Sequence, residues 1–319
     1  MRKWDWLIYA GIAVVLLIVP KLSFVTDTNL DLLIALFTVA SLASSWNILA
    51  GFVGQINLGH GAFFGVGALV TRELWLDGTP LLLALLAGGG AAALVALVVG
   101  VPALRLRGIY FAVGTLALGE TLRLTVSTTM PRISRLPGPA LRAYDYEPRY
   151  YLALAVLIVI VASVYVLRRS KLGLGMMAIR EDEAAARSVG VNAFLYSLIA
   201  FIMSAFFAGL TGGTFGYFHL GYYPSYPFTP MWTFDGLLVT FIGGIGTLGG
   251  PLLGAAFFVL VRDVLASNLV NFHLVIFGAL FIVIVLLLPG GIIEISERAR
   301  RILNRDSQKQ DLMMGKEKS

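Results

Sequence analysis

Runs of apolar residues, parted by short polar breaks, fill most of this chain. Crossing the roughly 30 Å hydrocarbon layer of a bilayer takes about 20 helical residues. Stretches approaching that reach lie at 5–20, 30–50, 58–76, 79–101, 108–127, 149–168, 192–213, 233–248, 251–268 and 271–289. The pattern predicts an all-α integral membrane protein, a polytopic bundle of about 8–10 transmembrane helices. The third, eighth and ninth stretches are short or broken by glycine, which suits re-entrant segments as well as full crossings.

One segment interrupts this pattern. "SKLGLGMMAIREDEAAARSVGVN", residues 170–192, carries three consecutive acids, Glu181, Asp182 and Glu183, between two membrane-length stretches. "DEAAARSVG" reads as a compact helix with Asp182 at its N-cap, alanines in the middle and Gly190 as its stop. Glu183 and Arg187 stand four apart in the favourable order, worth about 0.2–0.5 kcal/mol. Acids at the start and Arg187 near the end suit the helix dipole. So short a helix is unstable alone and must pack on something. Met176, Met177 and Ile179 are expected to offer an apolar knob beside its charged face. Shape alone allows an amphipathic helix at the lipid interface or a docking helix for a soluble partner.

Composition agrees with the membrane class. The chain of 319 residues is 58% hydrophobic and 13% charged, where a soluble domain would be near a quarter charged. Its mean hydropathy is +0.85. No cysteine is present, which excludes disulfides and thiolate metal sites. The net charge of +6 does not gather into a nucleic-acid patch, since seven of the 24 Lys and Arg lie in residues 298–319. That division gives a transmembrane domain over 1–297 and a basic, disordered cytoplasmic tail over 298–319. Arg2 and Lys3 before the first apolar run resemble a secretory leader, but no small-residue cleavage site follows, so a retained span is expected. With both termini inside, the N-terminus, the "LRLRG" loop, the charged loop and the tail hold sixteen of the 24 basic residues. The positive-inside bias favours that orientation, although the loop "PRISRLPGPALRAYDYEPR" then places four arginines outside.

The charged segment resembles the cytoplasmic coupling loop, the EAA-like motif, of ABC importer permeases. More narrowly, the chain resembles the branched-chain amino acid permease family of the LivM/LivH type. Four stretches carry the likeness, in the family's order: "WNILAGFVGQINLGHGAFFGVGA" (46–68), "LRLRGIYFAVGTLALGETLRL" (104–124), "SKLGLGMMAIREDEAAARSVGVNAFLYSLIAFIMSAFFAGLTGG" (170–213) and "FIGGIGTLGGPLLGAAF" (241–257). The resemblance implies a multi-pass permease of the prokaryotic plasma membrane. It works with a second, homologous permease subunit, two ABC ATPase subunits and an external solute-binding protein, with no cofactor and no nucleic acid. Coupling to the ATPase then falls on Ile179, Arg180, Glu181, Asp182, Glu183, Ala184, Ala185, Arg187 and Gly190. Branched-chain or other hydrophobic amino acids are the implied solutes, with urea, amides or another small polar solute as the alternative. One departure stands out: between Ser127 and Pro148 the family's glycine-rich "TGG"-like element is replaced by "TTMPRISRLPGP".

A phosphate-cradling loop needs spaced glycines followed by Lys and Ser or Thr. The chain's Gly315–Lys316 pair is followed by Glu317, so ATP is expected to act through a partner. Neither "HExxH" nor "GxSxG" occurs, and the three histidines, His60, His219 and His273, form no recognisable catalytic or metal set. An enzyme is therefore not expected. A secondary transporter or channel would need carboxylates deep in its spans, and apart from Glu120 the acids cluster in loops.

The remaining chemistry sits in "GFVGQINLGHGAFFGVGA". Gly51, Gly54, Gly59, Gly61, Gly65 and Gly67 each cost about 1 kcal/mol in a helix relative to alanine. Close packing through the Gly61–Gly65 pair is one explanation, and a broken helix lining a solute path is another. Gln55, Asn57, Gly59, His60 and Gly61 are the path candidates, with Glu120 added from "LGETLRL", where it can pair with Arg123. "GGIGTLGG" (243–250) echoes "GQINLGHG" (54–61), either as an internal repeat or as a second packing point. Arg262 and Asp263 point in different directions, each towards its own partner. The aromatic segment "FGYFHLGYYPSYPFTPMW" (215–232) reads as an interfacial belt or an outer lid.

Overall fold

A computed structural model describes residues 5–22, 25–106, 108–268 and short runs between 278 and 294. The expected stretch at 271–289 lies largely outside the described residues, and the tail at 298–319 lies wholly outside them. The chain is an all-α polytopic membrane protein, and the apolar runs become helices in the expected order. These are α1 (Asp5–Ile18), α2 (Asp27–Phe52), α3 (His60–Leu76), α4 (Leu81–Ala103), α5 (Ile109–Thr129), α6 (Gly138–Arg142) and α7 (Tyr146–Arg169). They continue as α8 (Lys171–Glu181), α9 (Glu183–Ser188), α10 (Ala193–Phe218), α11 (Pro230–Gly243) and α12 (Gly250–Asn268). Among the described residues, α2, α4, α5, α7 and α10 are long and apolar enough to cross a membrane. At 1.5 Å per residue, the 17 residues of α3 reach about 26 Å and the 14 of α11 about 21 Å. Both fall short of the hydrocarbon layer, whereas α12, over the ninth stretch, has 19 residues and reaches about 28 Å.

Helix α2 is the centre of the molecule. Every residue from Phe37 to Phe52 is buried, which is what a helix apolar on all sides requires. One side of it faces a cluster built from α3, α4 and α10 around Phe63, Phe64, Ala92, Phe201 and Ala208. The other faces Tyr150 and Leu154 of α7 and Phe258 of α12. Glycine sets how close α3 and α10 approach: a Cβ at Gly67 would overlap the Gly209 carbonyl, and one at Gly212 the Phe64 carbonyl.

The two ends of the bundle differ. At one end the α4–α5 turn and the α8–α9 elbow gather around the C-terminus of α2. At the other, two short antiparallel strands, β1 (Ser134–Arg135) and β2 (Gly221–Tyr222), join the loop after α5 to the loop after α10. The fully buried Arg72 of α3 holds this junction. It donates to Ser134 Oγ at 2.8 Å, to the Gly216 carbonyl at 2.7 Å and to the His219 carbonyl at 2.6 Å. The aromatic segment expected as an interfacial belt only partly surfaces. Tyr223 and Tyr226 are exposed, but Phe228 is buried against Gly65 and Trp232 stacks on Phe64 at 4.6 Å. The segment dips inward because α11 begins level with the start of α3, where the Gly61 amide donates to Thr233 Oγ1 at 2.7 Å.

Adding volume at the α3–α10 crossing should therefore destabilise the bundle. Gly212→Val is expected to cost about 1–3 kcal/mol, the usual range for overpacking, read as a lowered thermal midpoint in detergent. Val at Gly11, which has nothing within 4 Å, is expected to leave the midpoint unchanged.

Candidate functional site

The charged segment forms an elbow of two helices. Ser170 ends α7 and caps α8 by accepting from the Gly173 amide at 3.1 Å. Asp182 ends α8 and caps α9, accepting from the Ala184 amide at 2.8 Å and the Ala185 amide at 3.0 Å. Gly190 closes the turn at φ 89°, a left-handed conformation that a residue with a Cβ adopts only at a cost. Glu183 and Arg187 form the expected ion pair on the exposed face. The expected helix over 182–190 is thus present. The sequence reading missed α8, which forms although the two glycines in "KLGLGMMAIRE" are poor helix formers.

Most of the residues expected to meet a partner lie on the surface: Glu181, Asp182, Glu183, Ala184, Ala185, Arg187 and Gly190. The apolar knob does not. Met176 is fully buried, Ile179 nearly so and Met177 half-buried, and they face this chain's own core together with Ala186 of α9. The physical reason is stability: helices of 11 and six residues need an apolar footing, and α8 supplies it.

Arg180 ties the elbow to the rest of the site. Its side chain crosses to α2, where Nη1 donates to the Gly51 carbonyl at 2.6 Å. Beside that contact Asn47 bridges to the turn between α11 and α12, donating to the Thr247 carbonyl at 2.9 Å and accepting from the Gly246 amide at 2.8 Å. A Cβ at Gly246 would overlap the Arg180 guanidinium, and one at Gly51 would crowd the Gly246 nitrogen. The end of α2 and the glycine-rich turn at 243–250 are therefore neighbours, packed together under the elbow.

Beyond Gly51 the chain leaves the helix at Gly54, φ 83°, and runs irregularly to Gly59 before α3 begins. Its polar groups find partners from four directions. The Leu58 amide donates to Thr115 Oγ1 of α5 at 3.1 Å, and the Gly59 amide to Asn57 Oδ1 at 2.8 Å. The Asn57 carbonyl accepts from Trp46 Nε1 of α2 at 2.8 Å. Gly61 reaches Thr233 of α11 as described. His60 Nε2 meets Ser45 Oγ at 2.9 Å, while His60 Nδ1 and Asn57 Nδ2 have no hydrogen-bond partner. Gln55 likewise keeps a buried oxygen, Oε1, without a hydrogen-bond partner. It lines a cavity of about 300 Å³ together with Leu104, Arg105, Glu183 and Arg187, directly behind the elbow. Gly59 and Gly61 are held by close contacts, with Thr115 and with Thr229 and Thr233 respectively. Both explanations of the glycines therefore apply: the helix is broken, and the break is tightly packed.

Glu120 lies on another surface. It pairs with Arg123 as the spacing implied, with Arg123 Nε donating to Glu120 Oε2 at 2.8 Å, on the outward side of α5. Arg262 pairs with Asp235 of α11, Nη1 to Oδ2 at 3.8 Å. Two charged residues escaped the sequence reading, Arg72 and Asp235. Asp235 is a lone charge inside an apolar run, and that was the available signal, whereas Arg72 stands next to Glu73 and does not stand out in the same way. Near Arg72, burial pushes His219 down to about 4, with the guanidinium acting in the same direction and a hydrogen bond to the Phe215 carbonyl opposing it.

Comparison with known proteins places this geometry. Residues 29–285 match the model of a family described as the permease component of branched-chain amino acid transport systems. The LivM permease protein of the Escherichia coli K12 high-affinity branched-chain amino acid transport system is 29% identical over 291 residues, covering 81% of this chain and 68% of the relative. The Salmonella typhimurium LivM protein is 29% identical over 280 residues, covering 77% of this chain and 65% of the relative. No solved structure matches.

The elbow's local origin is open to measurement. Asp182→Ala removes both cap bonds and should cost about 1 kcal/mol of α9 stability. Amide exchange at Ala184 and Ala185 is expected to quicken about fivefold, with the α2 core amides unaffected. Unchanged exchange would mean that packing, not the cap, holds α9.

Proposed function

The chain belongs to the family of permease components of branched-chain amino acid transport systems, and from that premise we propose that it forms half of the membrane pathway of an ATP-driven importer. The solutes are branched-chain or other hydrophobic amino acids, delivered by an external binding protein. A homologous permease supplies the other half of the pathway, and two ATPase subunits supply the energy. The α8–α9 elbow faces the cytoplasm, with both termini, and docks on an ATPase.

The observation that carries this reading is the elbow's build. Its capped outer helix presents Glu183, Ala184, Ala185 and Arg187 outward, with Val189 78% exposed beside them. Its inner face is fixed to the core by Met176 and Ile179 and to the end of α2 by Arg180. A force applied to α9 is thereby delivered to Gly51, Asn47 and the two irregular segments. The solute path runs beside the break at Gln55, Asn57, Gly59, His60 and Gly61, and Glu120, on the outward side of α5, is left out of it. The cavity at Gln55 opens it on the elbow side.

Two experiments test the proposal. Glu183→Lys combined with Gly190→Pro is expected to abolish substrate-stimulated ATP hydrolysis by the reconstituted complex while leaving membrane insertion intact, since proline cannot adopt φ 89°. Crosslinking of the elbow to lipid alone, never to an ATPase, would sink the docking assignment. For the path, the absence of native cysteine allows clean labelling. A single cysteine at 55 is expected to react with a water-soluble thiol reagent in the resting complex, and cysteines at 57 and 60 only during ATP turnover. Protection at all three positions in every nucleotide state would show that the break is packing alone.

A further inference from the structure

Helix α5 does not suit lipid. It is the least buried of the membrane-length helices, with 28% of its most apolar window inside the chain, and also the least apolar, at a mean hydropathy of 1.2. Helix α4 is similarly uncovered at 33%, but its mean hydropathy is 2.5, as a lipid-facing helix requires. Six of the exposed positions of α5 trace a stripe, Tyr110, Val113, Ala117, Thr121, Leu124 and Thr128, at spacings of three and four, with Ile109, Thr125 and Thr129 beside it. Next to this stripe stand Glu120 and Arg123, with side chains 39% and 30% exposed. Glu120 is eleven residues from Ile109 and nine from Thr129, so it lies about 14–17 Å from either end of the helix. That is the middle of a span, too deep for the Glu120 carboxylate to reach the headgroups without distortion.

The threonine hydroxyls satisfy themselves, Thr121 on the Ala117 carbonyl at 2.8 Å and Thr128 on the Leu124 carbonyl at 3.1 Å. Lipid tolerates such groups. It does not tolerate a half-exposed ion pair, whose outer edges need polar partners. Small residues on this stripe, Ala117, Thr121 and Thr128, also let another helix approach closely.

We infer that this face of α5 is covered by the second permease chain, packed helix to helix across the pathway interface. The inference rests on the importer reading for the existence of that chain and adds which surface meets it. Charge identifies the occupant. An acid and a base three residues apart are self-complementary about a two-fold axis, so a chain of the same fold can set its base on Glu120 and its acid on Arg123. A soluble ATPase or binding protein cannot reach the middle of a span.

Photocrosslinking within the complete transporter tests this. A photoreactive residue at 121 or 124 is expected to give adducts with a second permease-type chain, identified by mass spectrometry. The same residue at Leu94, an exposed position on α4, is expected to give lipid adducts only. Lipid adducts alone from 121 and 124, or adducts with an ATPase or binding protein, would overturn the assignment. Thr121→Trp should lower recovery of the second permease with the complex at least tenfold, and Leu94→Trp should not. Equal recovery from both variants would also overturn it. Co-purification of the ATPases and uptake by the unsubstituted complex, read in parallel, separate the two hypotheses. If both persist while α5 labels only lipid, the interface is misplaced; if neither occurs, the importer reading itself fails.

Discussion

A helix that breaks among buried neighbours frees backbone groups that need partners from within the protein. The Leu58, Gly59 and Gly61 amides find theirs in Thr115, Asn57 and Thr233, and the Asn57 carbonyl accepts from Trp46, which draws α2, α3, α5 and α11 to one place. Much of the architecture follows from it. Helix α11 must begin at this depth to offer Thr233, and the segment before it must therefore dip inward. Phe228 and Trp232 then sit against α3 because that descent leaves them nowhere else to pack. The break fixes the arrangement by its requirements.

The two ends of the molecule solve separate problems with arginine. Arg72 gathers carbonyls of the loop after α10 and the Ser134 hydroxyl, and so converts a buried charge into a clasp for irregular backbone. Carbonyls suit this task because each brings a partial negative charge without a second ion to desolvate. Arg180 makes a single such contact, to Gly51, and is otherwise exposed. The first is buried and immobile. The second is exposed beside the elbow, as the proposed docking contact requires.

What the sequence made legible was local. The helix over 182–190 could be read because its cap, Asp182, and its stop, Gly190, lie within the same nine residues and act on neighbouring amides. The Glu120–Arg123 and Glu183–Arg187 pairs followed from helical spacing in the same way. The membrane class and the order of the helices followed from runs of apolar residues, a property of each segment alone. The short third and eighth stretches announced themselves by glycine.

Tertiary structure decided everything that depended on a distant partner. Sequence could show that Met176 and Ile179 were apolar, but not that they would turn to this chain's own core, since direction is set by where α8 packs. It could count six glycines, but the facing groups on α5, α10 and α11 and in the 243–250 turn lie some 50 to 200 positions away. Arg72 and Asp235 passed unnoticed because such a charge acquires meaning only from the groups folded around it. Periodicity and capping are short-range, so the chain states them directly. Burial and hydrogen bonding across the bundle depend on relative helix positions, and those are fixed only when all the helices pack together.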